Sequence, residues 1–109
     1  MKTPTTSGEP PIEISPPGWA DVLRILREQV PGLEVWAFGS RAKRTAKPYS
    51  DLDLALITRE PLTLEQLASI SDAFETSDLP IRVDVVDWAS TSQAFRKIIE
   101  RDRVVVQTE

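Results

Sequence analysis

From Trp19 onward, apolar positions recur at helical spacing. Trp19, Val22, Leu23, Leu26 and Val30 form one stripe, predicting a helix from about Pro17 that Pro31-Gly32 stops. Leu33 to Phe38 is a short apolar run, read as a strand that ends at Gly39. Residues 40–47 are polar and basic, enough for a loop with a turn or two of helix. A second strand is predicted from Asp51 to Ile57, after Pro48-Tyr49-Ser50. Thr63-Leu64-Glu65-Gln66 is a capping-box signature, so a helix starts there with Leu64, Leu67, Ala68, Ser71 and Phe74 facing the core. A third strand, Ile81 to Val86, follows Pro80. Ser90-Thr91-Ser92-Gln93 repeats the capping logic for a last helix with Phe95, Ile98 and Ile99 inward. Val104-Val105-Val106 reads as a short strand or an extended tail.

The resulting order, α-β-(short α)-β-α-β-α, predicts an α+β, two-layer fold with helices packed on a small sheet. Only about a dozen residues join the first two strands, near the lower limit for a parallel crossover, so a mixed sheet is expected. The first 17 residues hold five of the nine prolines and little that could build a core. They read as a flexible tail, with Ile12 and Ile14 as candidates for pairing on a sheet edge. Residues 18–109 are then a single domain. No internal repeat is present.

Composition narrows the chemistry. The 109 residues contain no Cys and no His. Disulfides, zinc fingers, thiol nucleophiles, haem held by either residue and Ser-His-Asp triads are thereby excluded. An enzyme of this composition works with carboxylates, hydroxyls, cations and a hard metal. The net charge of −4 argues against a general nucleic-acid binder. It is unevenly spread: Arg41, Lys43, Arg44 and Lys47 form an island without any acid, while the other nine cations face all 17 acids. No apolar stretch approaches the roughly 20 residues of a membrane span, and no signal-peptide pattern opens the chain, so a cytoplasmic location is expected.

Asp51 and Asp53 open the second strand as Asp-Leu-Asp-Leu-Ala-Leu-Ile. Side chains of a strand alternate faces, so both carboxylates point one way and Leu52, Leu54 and Leu56 the other. Their Cα atoms would lie roughly 6.7 Å apart, close enough for both side chains to lean onto one cation. Asp84 sits within Ile81-Arg82-Val83-Asp84-Val85-Val86, on the same face as Arg82. Were the two strands neighbours, three carboxylates would converge. Two like charges at 4 Å repel by about 4 kcal/mol at an effective dielectric of 20, and divalent cations relieve that repulsion. Oxygen-only ligation selects Mg²⁺ or Mn²⁺. Taken singly, each aspartate reads equally well as a turn, cap or ion-pair residue, and Asp-x-Asp alone is a weak motif.

Gly39 ends an apolar strand and opens the basic loop. A glycine there lets the backbone approach a ligand, and Ser40 adds a hydroxyl and an N–H. With the cations that follow, this is what a triphosphate requires. The full string, GSRAKRTAKPYSDLDLAL, resembles the minimal nucleotidyltransferases of the DNA polymerase beta superfamily, with their Gly-Ser, ten residues, Asp-x-Asp signature. The resemblance runs from about Trp19 to Arg101 and includes the later strand with one acid, Val83-Asp84-Val85. It implies that Gly39, Ser40, Arg41 and Ser50 contact the nucleotide and that Asp51 and Asp53 hold the catalytic metals. Asp84 would complete the metal site and help deprotonate the attacking hydroxyl. One departure stands out: Arg44 occupies the place of a second glycine in many relatives. If that glycine has a positive φ, Arg44 either strains the turn or forces the loop to be rebuilt.

The resemblance also implies a reaction, transfer of a nucleoside monophosphate from an NTP to a hydroxyl with release of pyrophosphate. The small stand-alone members resemble MntA-type antitoxins, which neutralise a HEPN-domain toxin by adding AMP to a tyrosine. The first expectation is thus an ATP- and Mg²⁺-dependent (or Mn²⁺-dependent) protein adenylyltransferase whose partner is a HEPN toxin or another helical protein. A non-catalytic subunit that silences its partner by contact is the second. A transferase for small-molecule or nucleic-acid acceptors recognised by a partner chain is the third. Binding of long nucleic acid by this chain alone and membrane association are not expected. Base preference and homodimerisation are left open by the sequence.

Overall fold

The alternation in Leu52-Asp53-Leu54-Ala55-Leu56 sets the layers. In the computed structural model, which describes residues 9–108, these residues form β2 (Leu52–Leu56), and its three leucines are fully buried. Around it lie α1 (Pro16–Gln29), β1 (Val35–Phe38), the four-residue α2 (Ser40–Lys43), α3 (Leu64–Glu75), β3 (Val83–Asp87), α4 (Gln93–Asp102) and β4 (Val104–Gln107). The sheet order is β3-β2-β1-β4. β1 is antiparallel to both β2 and β4, whereas β2 and β3 are parallel, joined through α3. The sheet is mixed, as expected, and the terminal valines form a strand.

One face of the sheet carries Val35, Ala37, Leu52, Leu54, Leu56 and Val106, packed against Trp19, Val22, Ile25 and Leu26 of α1 and Ile70 and Phe74 of α3. The other carries Trp36, Phe38 and Ala55 against Ile99, with Phe95, Val86 and Trp88 alongside. Edge-to-face aromatic pairs fix this smaller layer: Phe38–Phe95 at 5.6 Å and Trp36–Trp88 at 5.4 Å between centroids.

The predicted helices exist, with two stripes rotated. Thr63 and Gln66 do close a capping box on α3, yet Leu64 is 85% exposed and the buried side is Ile70 and Phe74, with Leu67 half-buried. In α4, Ile99 is buried while Ile98 faces out, and the N-cap is Ser92, accepting from the Phe95 N–H at 3.1 Å. Ser90 instead donates to Asp87 Oδ2 in the 3-10 turn Trp88–Ser90 that follows β3.

The tail reading of residues 1–17 is corrected over its described part, 9–17; residues 1–8 lie outside the described residues. Ile12 is 1% exposed within the α1/α3 core, and Ile14 packs beside it, so neither pairs on a sheet edge. Ser15 caps α1 by accepting from the Gly18 N–H, and Pro16 and Pro17 occupy the first turn, where a missing N–H costs nothing. Proline-rich composition here marks a helix start rather than disorder.

Candidate active site

The apolar packing of β2 and β3 carries Asp53 and Asp84 to the same place. Asp53 pairs across the antiparallel ladder with Phe38 and across the parallel ladder with Asp84, so one row of the sheet reads Phe38–Asp53–Asp84. Alternation puts this row on the face opposite the buried leucines. Asp51 lies just ahead of β2. The three carboxylates feel each other: burial, then the charges of Asp84 and Asp51, push the Asp53 carboxyl up to about 6. Among the described residues, no three acidic side chains close into a ready-made metal cage. Asp84 is turned to Arg82, whose Nη2 lies 3.3 Å from Asp84 Oδ1 in a solvent-facing ion pair. An oxygen-only donor set that resists its own negative charge fits a hard divalent cation, with Asp51, Asp53 and Asp84 as the residues that would hold it.

Gly39 abuts this row. Its backbone, at φ 78° and ψ −159°, lies in a region reserved for glycine, and a Cβ built there would sit 2.5 Å from Asp53 Oδ2. The turn feeds directly into α2, whose first-turn N–H groups have no partner within the helix. Ser40 starts that helix, beside the candidate metal ligands.

Arg44 resolves the departure noted in the sequence. It takes φ 61° and ψ 39°, the left-handed conformation that a glycine would adopt, and its N–H closes onto the Ser40 carbonyl. The turn is thus retained despite a non-glycine residue. Strain of roughly 1–2 kcal/mol is expected for this geometry, and a hydrogen bond of 2.7 Å from Arg44 Nη2 to the Pro10 carbonyl offsets part of it.

Arg41 is placed otherwise than the family resemblance implied. It is buried, and its guanidinium donates to four main-chain carbonyls: Ser50 (2.9 Å), Glu13 (2.8 Å), Lys47 (3.4 Å) and Pro48 (3.2 Å). Those donors are turned inward to shape the loop. Ser50 has a similar part, its carbonyl held by Arg41 and its Oγ accepting from the Lys47 N–H at 2.9 Å. The candidate phosphate-facing cations that remain solvent-exposed are Lys43, Arg44 and Lys47.

The profile of the family described as polymerase beta, nucleotidyltransferase matches residues 21–109. The chain belongs to this family. It is 54% identical over 88 residues to the probable protein adenylyltransferase MntA of Haemophilus influenzae (strain Rd), spanning 81% of this chain and 77% of that relative. Two solved structures share the fold. A toxin–antitoxin complex with AMP-PNP superposes with a TM-score of 0.72 at 22% identity, covering 84% of this chain and 73% of that one. A tri-AMPylated Shewanella oneidensis HEPN toxin in complex with an MNT antitoxin gives 0.65 at 19% identity, covering 84% and 71%. This nucleotidyltransferase therefore combines the expected α+β fold with the expected Gly-Ser and Asp-x-Asp elements in one place.

Two parts of the nucleotidyltransferase site escaped the sequence reading. Asp102, at the end of α4, is buried and bonds Arg101 Nε at 2.9 Å. That bond, helped by the Lys43 charge and the Gly39 N–H, holds its carboxyl below the usual range. Asp102 thereby borders the Gly39 turn. Glu13, from the supposed tail, accepts from the Ala46 N–H at 3.0 Å and donates its own N–H to the Arg41 carbonyl at 2.8 Å. Neither residue lies in a motif: Glu13 reaches Arg41 and Ala46, 28 and 33 residues along the chain, and Asp102 joins the end of α4 to the loop after β1. Among the described residues, no helix is long and apolar enough to cross a membrane.

Proposed function

We propose that this nucleotidyltransferase moves AMP from ATP to a tyrosine hydroxyl of a HEPN-type toxin and so acts as its antitoxin. The observation that carries the reading is the Asp53–Asp84 row, with Asp51 beside it, set against the Gly39–Ser40 turn. The similarity to MntA of H. influenzae supports the protein acceptor, and the AMP-PNP and HEPN assemblies of its structural neighbours support the nucleotide and the partner.

The residues divide the work. The Gly39 backbone admits the triphosphate closely, with Ser40 and the exposed Lys43, Arg44 and Lys47 offsetting its charge. Arg41, Ser50, Glu13 and Asp102 hold that loop in shape. Asp51, Asp53 and Asp84 would bind Mg²⁺ or Mn²⁺, which supplies charge neutralisation at the reacting phosphorus. Asp84, at the outer end of the row, accepts the phenolic proton. The tyrosine oxygen bonds to the α-phosphorus as its bond to the bridging oxygen breaks, and pyrophosphate departs with the electron pair.

Arg44 keeps the turn, which favours the catalytic reading over contact-only silencing. The test is incubation of the purified chain with α-labelled ATP, Mg²⁺ and the purified HEPN protein. Label is expected on the partner, absent when its acceptor tyrosine is Phe or when this chain carries D51N and D53N. Full neutralisation by the D51N/D53N double variant would overturn the catalytic reading.

A further inference from the structure

The carboxylate row ends at β3, and β3 is the last strand of the sheet. The Leu52 N–H donates to the Arg82 carbonyl at 2.9 Å. In a regular parallel ladder this turns the main-chain groups of Arg82, Asp84 and Val86 toward β2 and those of Val83, Val85 and Asp87 outward. Two cavities open along that outer edge. One, about 500 Å³, is bounded by Phe74, Leu79, Ile81 and then Arg82, Val83 and Asp84. The other, about 450 Å³, is bounded by Leu67, Phe95 and Ser92 together with Val85, Val86 and Asp87. They are consecutive stations on a single strand, and Asp84 stands at the junction. Each is lined by both apolar and polar side chains.

We propose that the outer edge of β3 receives an extended segment of the acceptor protein, which adds to the sheet as a fifth strand. The inference rests on the transferase reading above and names how that site takes its protein substrate. An added strand satisfies the outward N–H and C=O groups and sends alternate side chains to the two faces. Its hydroxyl-bearing residue then falls on the Asp53–Asp84 row. The residue two positions along, on the same face, lies over Val86 against Phe95, which selects an apolar side chain there. The opposite edge, β4, lies at the far side of the sheet from Asp84 and offers no such route to the row.

The variant V85P tests the edge. It removes an outward N–H while leaving the ladder to β2 intact, a position where edge strands accept proline. S71W, on the exposed side of α3, fills the first cavity instead and guards against a folding failure of V85P. For both, AMP-PNP affinity is expected to stay within twofold of the parent, and AMP transfer to the purified HEPN protein to fall at least tenfold through a raised KM for that protein. In the complex, amide exchange at Val83 and Val85 is expected to slow. Parent-level transfer by both variants, or unchanged exchange at those amides, overturns the proposal. So does exchange that slows with the concentration of this chain alone, which assigns the edge to a second copy. If the parent chain transfers no AMP yet those amides are protected in the complex, the transferase reading fails and the docking edge stands.

Discussion

The two faces of β2 are built to opposite ends. On one, Leu52, Leu54 and Leu56 are wholly buried beneath α1 and α3. On the other, the same strand holds Asp53 at a carboxyl pushed up to about 6, one row from Ala55. A single five-residue strand thus contributes three wholly buried leucines on one face and a carboxylate burdened by burial and like charge on the other. The leucine face supplies the rigidity that lets the aspartate face carry unrelieved repulsion. Function and stability are separated here by the two-residue period of a strand.

The comparison breaks most visibly at Asp53. D53N is expected to lower AMP transfer by about 10³-fold or more, since it removes a charged group from the reacting centre. Its stability should move the other way. Because the folded carboxyl sits near 6 and the unfolded one near 3.8, the folded state binds its proton more tightly. The parent therefore bears a penalty fully present above pH 6, which fades as pH falls through that value and is gone below about 3.8. Thermal melts without divalent cations should show D53N more stable than the parent at pH 7.5 and equal at pH 3.5. Mg²⁺ or Mn²⁺ should raise the melting temperature of the parent more than that of D53N.

Across the strand, L54A is expected to cost about 2–5 kcal/mol in denaturant unfolding, as for other fully buried leucines. Residual activity per folded molecule should stay close to the parent, which distinguishes it from D53N. G39A touches both faces of the comparison. The added methyl meets Asp53 Oδ2 and the backbone leaves its favoured region, so a loss of about 1–3 kcal/mol is expected, with transfer reduced by more than the stability change explains. The smallest effect is at Arg44: R44G removes left-handed strain but also the bond to Pro10 and adds freedom to the unfolded chain. A net shift under about 1 kcal/mol is expected, read from the same unfolding curves.

How much of this was legible in the sequence follows the range of the interactions. Capping signals, strand alternation and the Gly-Ser to Asp-x-Asp spacing are local, and they located the helices and strands to within a few residues, with Asp53 inside β2 and Asp51 just ahead of it. The convergence of Asp84 depended on β3 lying beside β2 in the register Asp53 to Asp84, which only the assembled sheet decides. Helix faces were misjudged where an apolar residue at the right spacing, Leu64 or Ile98, had no layer to meet. Arg41 is the clearest limit. A cation following Gly-Ser reads as phosphate-facing until the carbonyls of Glu13, Lys47, Pro48 and Ser50 are seen around it. The proline-rich start was read from composition, and over residues 9–17 one buried isoleucine reverses that reading.

The Arg41 cluster has a consequence for how this loop gives way. Its acceptors come from three stretches of chain: the segment before α1, the 47–48 turn and the residue preceding Asp51. No one of them can withdraw without leaving donors of a buried guanidinium unmet, a loss of about 1–3 kcal/mol each time. Opening any one stretch therefore weakens the hold on the other two. The loop after β1 is thus clasped at three points, one of them supplied by residues that precede the first helix.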